Sequence, residues 1–451
     1  MTTENQQLSY LEQQRLAYSD LIVDKPEDFR VHSRVYKDQE VFEAEMHGIF
    51  EKTWVYVCHE SEIERPGDYR TGKIGTTSVI IARDQQMDVH IMVNTCRHRA
   101  NAVCRYDYGN AHNFRCPYHG WVYKNSGENI GVADRRRYPA DYTPEFTQEN
   151  LSLLKVRTAT YRGLIFGCLD DDVPYDLDEF LGPLKKYIDR WADRSPEGEF
   201  VVTRPHLYSY NGNWKFQAEN GNDGYHGGFT HQSIAMTYEH FGKTDPNQSF
   251  QKVPHGGVAG GWKFGHGRFG GRAGGVGTGG GGGRGIGGLS KEQRAEYYNA
   301  VVAARGEQAA KETFDPSPEV NGGHFLIFPN VFLFPGLIRV IYPISPEETE
   351  IASYSIKPRG VSDEIVSKML LAEQGALSTT GSFNNDDVEM FAANQTGLRA
   401  TNMEWLVLTR GLGRETSPFP DEYWGEVSDE TPFRWFYREW LRLMGDYKAE
   451  V

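Results

Sequence analysis

The sequence predicts an α+β protein built from a small β-rich domain and a larger mixed domain. Three observations carry that prediction. Helical patterning occupies the two ends of the chain. Short β-branched and aromatic runs dominate from Val55 to about Leu169, and strand and helix signals alternate from residue 170 onward. A chain of 451 residues is expected to form roughly two or three domains and to bury on the order of three quarters of its unfolded surface.

Taken in order, residues 1–50 read mainly as helix, with polar and apolar positions mixed in SYLEQQRLAYSDLI and DQEVFEAEMHGIFEKTW. The runs TSVIIARD and DVHIMVN, punctuated by Gly and Asp, read as strands. FLGPLKKYIDRWADR then reads as a helix, VVTRPHLYSYNGNWKF as strand, the region around AENGNDGYHGGFTH as helical, and Phe325 to Ile356 as strands. DEIVSKMLLAEQGALS and PFRWFYREWLRLM close the chain as helices. His255 to Leu289 is glycine-rich, and its large ordering entropy and few packing side chains predict a mobile loop or lid. The match GHGRFG in that segment lacks the strand before and the helix after that a dinucleotide fingerprint requires.

Composition excludes some functions. A net charge of -14 argues against nucleic acid, because phosphate binding needs clustered Lys and Arg to replace counterions. MTTENQQLSYLEQQ has neither a basic leader nor an apolar core, so no secretory signal is expected. The apolar stretch His324 to Ile344 is broken by Pro329, Pro335, Arg339 and Pro343, whereas a membrane span needs about 20 consecutive, predominantly apolar residues. Five scattered cysteines are too few for a disulfide framework. A soluble, cytoplasmic protein without a membrane partner is expected.

Three of those cysteines lie in CRHRANAVCRYDYGNAHNFRCPYHGW. Cys96-x-His98 and Cys116-x-x-His119 are short chelating pairs, and the segment between them can fold back as a hairpin. Two Cys and two His suit tetrahedral zinc, or a Rieske-type [2Fe-2S] cluster with thiolates on one iron and imidazoles on the other. Pro117 and Gly120 suit a rigid turn that lets amides approach cluster sulfides. Cys58, Cys104 and Cys168 read as buried small hydrophobes.

About a hundred residues later, Asn220, Asp223, Tyr225, His226 and His231 form N-x-x-D-x-Y-H-x-x-x-x-H. Histidines five apart point about 140° apart on a regular helix, so Gly227 and Gly228 must bend the chain for the imidazoles to converge. A facial iron triad also needs a carboxylate. Asp223 is placed to hydrogen-bond the outer nitrogen of His226, and GSFNNDDVEMF, with Asp386, Asp387 and Glu389, is the richest source of the third ligand.

With CRHR, CPYHGW, NWKF followed by EN-x-x-D-x-Y-H-x-x-x-x-H, and F-x-x-D-D in this order, the chain resembles, over nearly its full length, the α (large, catalytic) subunit of Rieske non-haem iron aromatic-ring-hydroxylating dioxygenases. Its ending is most similar to the benzoate, anthranilate and salicylate branch. The resemblance implies a helical segment 1–44 packed on the catalytic domain, a Rieske domain at 45–169, and a catalytic domain at 170–451 with an antiparallel sheet wrapped around a long helix. It makes Cys96, His98, Cys116 and His119 the cluster ligands. His226, His231 and Asp387 become the ligands of a mononuclear Fe(II). Asp223 becomes the bridge to the Rieske histidine of a neighbouring subunit, and Asn220, His324 and Phe383 line the substrate pocket.

The resemblance further implies an aromatic substrate and O2, electrons from NADH through a reductase or ferredoxin, and a homotrimer or an assembly with a small β subunit. Cis-dihydroxylation of an aromatic acid is the expected reaction. The rivals are monohydroxylation by the same centres, as in salicylate hydroxylases, and a non-catalytic Rieske carrier or zinc-binding module. Ala100 stands where the family usually has Gly, and the glycine-rich segment has no recognised family counterpart.

Overall fold

The computed structural model describes residues 17–138, 148–233, 236, 240, 256–271, 288–315, 317 and 324–445. Two compact units emerge. One comprises Phe50–Gly182 with Glu199–Val202; the other comprises Met1–Ile49, Pro183–Gly198 and Thr203–Val451.

The smaller unit is antiparallel throughout. Its main sheet runs Val55–His59, Leu164–Cys168, Lys155–Tyr161, Val89–Val93, Thr77–Arg83, Asp68–Ile74, Tyr108–Asn110. The run TSVIIARD becomes Thr77–Arg83, buried continuously from Val79, because this central strand is covered on both faces. A second, three-stranded sheet of Asn113–Arg115, Val122–Lys124 and Asn129–Gly131 carries the second Cys-His pair in the turn between its first two strands.

In the larger unit, consecutive neighbours in one curled antiparallel sheet are Glu348–Pro358, Leu337–Ser345, Val331–Leu333, His324–Ile327, Gly267–Gly271, Gly257–Trp262, Glu422–Glu426 and Thr416–Phe419. The C-terminal helix Thr431–Gly445 buries Phe433, Phe436, Tyr437, Trp440 and Met444. That spacing of three and four makes one apolar stripe, which packs on the strands Gly257–Trp262 and Gly267–Gly271.

Here the structure departs from the sequence reading of 255–289. Its first half is a strand pair, and the glycines are what the helix requires. A Cβ on Gly261 would sit 2.5 Å from the Trp435 ring, and one on Gly267 would sit 3.1 Å from Pro432. Glycine in a strand marks close approach of another element. Residues 272–287 lie outside the described residues.

The N-terminal segment also departs from expectation. Residues 1–16 lie outside the description; beyond them Ile22–Lys25 and Asp28–His32 form a hairpin extended by Trp405–Val407, and helix resumes only at Arg34–Lys37 and Gln39–Glu45. Hydrophobic mixing could not distinguish this because the strands are short and bordered by polar residues.

The helix Trp214–Asn220, which leads into the N-x-x-D-x-Y-H motif, is fixed by buried polar groups. Lys215 Nζ and the indole nitrogens of Trp214 and Trp440 all donate to Glu45, at 2.6–2.9 Å. Glu219 accepts from the hydroxyls of Tyr36, at 2.7 Å, and of Tyr437. Burial pushes the Glu219 carboxyl up to about 7 from its ordinary 4.5, so the folded state holds this proton more tightly than the unfolded chain. Its contribution to stability is fully present below pH 4.5 and is lost as pH rises through 7. Glu219→Gln is expected to remove about 3 kcal/mol of pH-dependent stability across that window, read as the difference between parent and variant in denaturant titrations.

Among the described residues, no helix is long and apolar enough to cross a membrane.

Candidate metal centres

Two loops of matching geometry present the Cys-His pairs. In each, the cysteine N–H donates to the carbonyl of the fifth residue on (Asn101 at 2.9 Å, Trp121 at 2.8 Å), while the N–H of the fourth residue donates to the cysteine carbonyl (Ala100 and Gly120, both 3.0 Å). Closing such a loop requires positive φ at the fourth position; Gly120 takes 72° and Ala100 takes 54°. Left-handed backbone costs a residue with a Cβ roughly 1–2 kcal/mol. Ala100→Gly is therefore expected to stabilise the cluster-loaded protein by about 1 kcal/mol, measured as a higher denaturant midpoint.

The loops bury Cys96 and Cys116 while leaving His98 and His119 half-exposed. The imidazole centroids lie 4.6 Å apart, and Trp121 stacks on His98 at 5.1 Å. The Tyr123 hydroxyl lies 3.2 Å from Cys96 Sγ. Backbone N–H groups of Tyr118 and His119 point at Cys116 Sγ, although burial dominates and raises that thiol's pKa. His98 Nδ1 is buried with no hydrogen-bond partner among the described residues. Buried thiols, amides aimed at sulfur and an orphaned imidazole nitrogen fit a two-Cys, two-His cluster site.

The second set converges as the motif spacing requires. His226 and His231 stand at either end of the single helical turn Gly227–Thr230, where the chain leaves helical geometry at His231 (φ -92°, ψ 31°). The glycines stay helical, and leaving the helix at His231 brings the two rings together edge to face, with centroids 5.3 Å apart. Asp387, on the helix Ser382–Gly397, completes the set: one ligand atom from each of His226, His231 and Asp387 lies within 4.8 Å of the others. Asp387 Oδ1 is 3.5 Å from His226 Nε2 and 3.4 Å from His231 Nε2.

Each imidazole has a second carboxylate behind it. Asp223 Oδ2 is 3.6 Å from His226 Nδ1, and Asp223 Oδ1 accepts the backbone N–H groups of Tyr225 and His226 at 2.8 and 3.1 Å. Asp386 Oδ2 is 3.4 Å from His231 Nδ1 and accepts from Ser233 Oγ at 2.9 Å. Outer carboxylates fix the tautomer and raise the basicity of a ligand histidine. Burial opposes charge on His226, yet hydrogen bonding and charge from Asp223, with the charge of Asp387, push it up to about 9. The field that holds a proton there suits a divalent cation. For His231 burial prevails and the pKa falls.

Sequence reasoning assigned Asp223 its backing position, and weighed Asp386 as a metal ligand or a helix N-terminal carboxylate. Its role behind His231 depends on which face of the helix Ser382–Gly397 meets the histidines. Asp386→Ala is expected to weaken iron retention roughly 10- to 100-fold, measured by competition with a ferrous chelator.

Of the expected pocket residues, Asn220 is at the centre: Nδ2 donates to Asp387 Oδ1 at 3.1 Å and lies 3.3 Å from His226 Nε2. The Phe383 ring meets His231 edge-on at 4.9 Å. His324 is lowered to about 3 by burial and by the charges of Arg339 and His226, and its ring centroid is 4.0 Å from that of Phe334. Arg339 was visible in the sequence as a cation. In the structure it is 1% exposed; Nη1 donates to Gln217 Oε1 at 3.2 Å, and neither Nε nor Nη2 has a partner among the described residues.

Comparison with known proteins assigns a family to both domains. Residues 53–146 match the Rieske [2Fe-2S] domain, and residues 193–446 match the ring hydroxylating alpha subunit (catalytic domain). The chain is 32% identical over 399 residues to toluate 1,2-dioxygenase subunit alpha of Pseudomonas putida, covering 86% of this chain and 84% of that protein. It is 30% identical over 414 residues to the anthranilate 1,2-dioxygenase large subunit of Acinetobacter baylyi, covering 87% and 83%. A crystal structure of naphthalene 1,2-dioxygenase from Rhodococcus sp. bound to indole matches with a TM-score of 0.75 and 27% identity over 92% of this chain and 94% of that one. The paired domains, the convergent triad and these relatives place the chain in the Rieske ring-hydroxylating dioxygenases, as an α subunit whose cofactors are a [2Fe-2S] cluster and a mononuclear iron.

Proposed function

We propose that this α subunit cis-dihydroxylates an aromatic acid in the cytoplasm, drawing electrons from NADH through a reductase or ferredoxin, and that it works as a homotrimer or with a small β subunit. Cys96, His98, Cys116 and His119 hold the cluster; His226, His231 and Asp387 hold the iron. The observation that carries the reading is the approach of both Nε2 atoms to one oxygen of Asp387, with a carboxylate behind each ring. When bound, the cluster supplies single electrons and the ferrous ion supplies open positions for O2.

The protein's own residues do the rest. Asp223 orients His226 and offers its carboxylate toward the Rieske histidine of a neighbouring subunit. Asn220 steadies Asp387 through its amide, and Phe383 and His324 border the ring. The neutral state of His324 avoids a second cation beside the iron ligands.

Two observations support an aromatic acid. Relatives are named for toluate and anthranilate, both carboxylated rings. Arg339 is a buried guanidinium with unused donors, over the Phe334 ring at 5.0 Å and hydrogen-bonded to the helix that carries Asn220. Glu373 is its buried electrostatic neighbour, but Nε and Nη2 make no hydrogen bond among the described residues; unused buried donors are costly, and a planar carboxylate matches their fork.

Turnover of benzoate under isotopically labelled O2 is expected to place both labelled atoms in the product; a single labelled atom would replace this reading with monohydroxylation. Arg339→Gln is expected to raise the KM for benzoate by about tenfold or more while sparing toluene. Equal losses for both compounds would deprive Arg339 of the anchoring role.

A further inference from the structure

The chain turns a corner at residues 334–336, between the strands Val331–Leu333 and Leu337–Ser345, and charged side chains gather on it. The Arg339 guanidinium lies over the Phe334 ring at 5.0 Å. Arg194 Nη1 donates to the Pro335 carbonyl at 2.8 Å. A Cβ on Gly336 would collide with the carboxylate of Glu373, which reaches the corner from the helix Asp363–Leu377. The arginine proposed to anchor a substrate carboxylate thus shares its corner with an acid of the protein itself.

The two do not hydrogen-bond to one another. Glu373 Oε1, Arg339 Nε and Arg339 Nη2 are buried without a hydrogen-bond partner among the described residues, although the charge of Arg339 acts on Glu373. Idle atoms on a buried acid and on a buried cation at one corner point to a third group that uses both.

Burial pushes the Glu373 carboxyl up to about 7 despite the charges of Arg339 and Arg194. With both cations already acting, a substrate carboxylate in the Arg339 fork adds only a like charge, which raises the Glu373 carboxyl further. The substrate keeps its charge, because the guanidinium fork holds the ionised form. Neutral Glu373 then has an O–H to donate.

Other titratable groups near the corner hold their state around neutral pH. Burial, with the charges of Arg339 and His226, lowers His324 to about 3, and burial raises the hydroxyls of Tyr208 and Tyr297. On the helix of Glu373, Lys368 pairs with Glu364 at 3.2 Å; on the helix Ser382–Gly397, Asp386 and Asp387 face the histidines. Among the described residues, no charge from the strand Glu348–Pro358 or the helix Lys291–Arg305 acts on Glu373. Glu219, the other acid near 7, is held by Tyr36 and Tyr437.

We infer that Glu373 is a specificity-determining residue of the substrate pocket: it takes a proton from solvent when an aromatic carboxylate occupies the Arg339 fork, and its O–H then donates to a carboxylate oxygen. The inference rests on the reading of Arg339 as the carboxylate anchor. No covalent bond of the substrate changes. One proton moves from water to Glu373, and the corner holds one carboxylate and one neutral acid instead of two carboxylates.

The test follows benzoate binding to the metal-loaded parent, Glu373→Gln and Arg339→Gln by calorimetry, in buffers of low and high ionisation heat, at roughly pH 6 and pH 8. The parent is expected to take up most of one proton per benzoate at the higher pH and far less at the lower, where Glu373 is already protonated. Its Kd should rise up to about tenfold for each pH unit above about 7. Glu373→Gln should take up no proton and bind with a Kd that does not change with pH.

A parent that takes up no proton at the higher pH, or uptake that persists in Glu373→Gln, overturns the inference. Should Glu373→Gln fail to fold, the parent decides alone, and equal uptake at the two pH values overturns it. Benzoate bound by Arg339→Gln as tightly as by the parent, or not bound by the parent, would remove the anchor reading beneath it. That outcome is distinct from loss of proton uptake while Arg339 still anchors.

Discussion

Asp387→Ala is expected to cost the protein its mononuclear iron and all measurable ring hydroxylation, while the cluster spectrum and acid-labile sulfide remain at parental levels. Asp387 is the only carboxylate of the convergent set, and both Nε2 atoms approach its Oδ1. Without it two neutral imidazoles remain, and the anionic ligand that a facial iron triad needs is gone. Asp386 cannot substitute, because its oxygens are engaged with His231 Nδ1 and Ser233 on the outer side of the ring. The check is metal analysis and sulfide assay on the same purified sample. Retention of the full iron content would show that the ligand lies elsewhere.

Asp223→Ala is expected to separate binding from turnover. Both metals should stay bound when iron is supplied in excess, the ferrous site with a looser hold as in Asp386→Ala, since Asp223 stands behind His226 and is not one of the three convergent groups. Turnover should fall by roughly 100-fold or more, because the variant loses the outer partner of a ligand histidine and with it the proposed link to the adjacent subunit's cluster. The loop would also lose its anchor, as Asp223 Oδ1 accepts the N–H groups of Tyr225 and His226. Asp223→Asn keeps an acceptor for those N–H groups and isolates the effect of charge. Single-turnover experiments, with the cluster reduced beforehand, read electron transfer directly. Full activity in both variants would end the bridging assignment.

Much of this site is legible in the order of residues. Cys96-x-His98 and Cys116-x-x-His119 name their chemistry because chelating pairs are local: each fits within one turn, and the matching hydrogen bonds of the two loops involve only residues four and five apart. The pair His226 and His231 is legible for the same reason, as is the placement of Asp223 three residues before a ligand. The C-terminal helix announces itself through the regular spacing of Phe433, Phe436, Tyr437, Trp440 and Met444.

Other features needed the assembled fold. Glycines in 257–271 look like a loop when counted, and they become strand once Trp435 and Pro432 are seen pressing on them. The hairpin Ile22–His32 is short and bordered by polar residues, and the sequence does not show its pairing with Trp405–Val407.

What the linear order of residues determined by itself was the kind of chemistry: two metal-binding motifs, a family, and an α+β chain with its domains in order. Only the tertiary structure decided that Asp386, the other acid of the pair, stands behind His231 and that Arg339 is buried with donors to spare. The physical reason is range. Turn geometry and chelate spacing are set by neighbours a few bonds away. A carboxylate on one helix meets an imidazole on another only after burial of distant apolar surface has fixed how those helices sit.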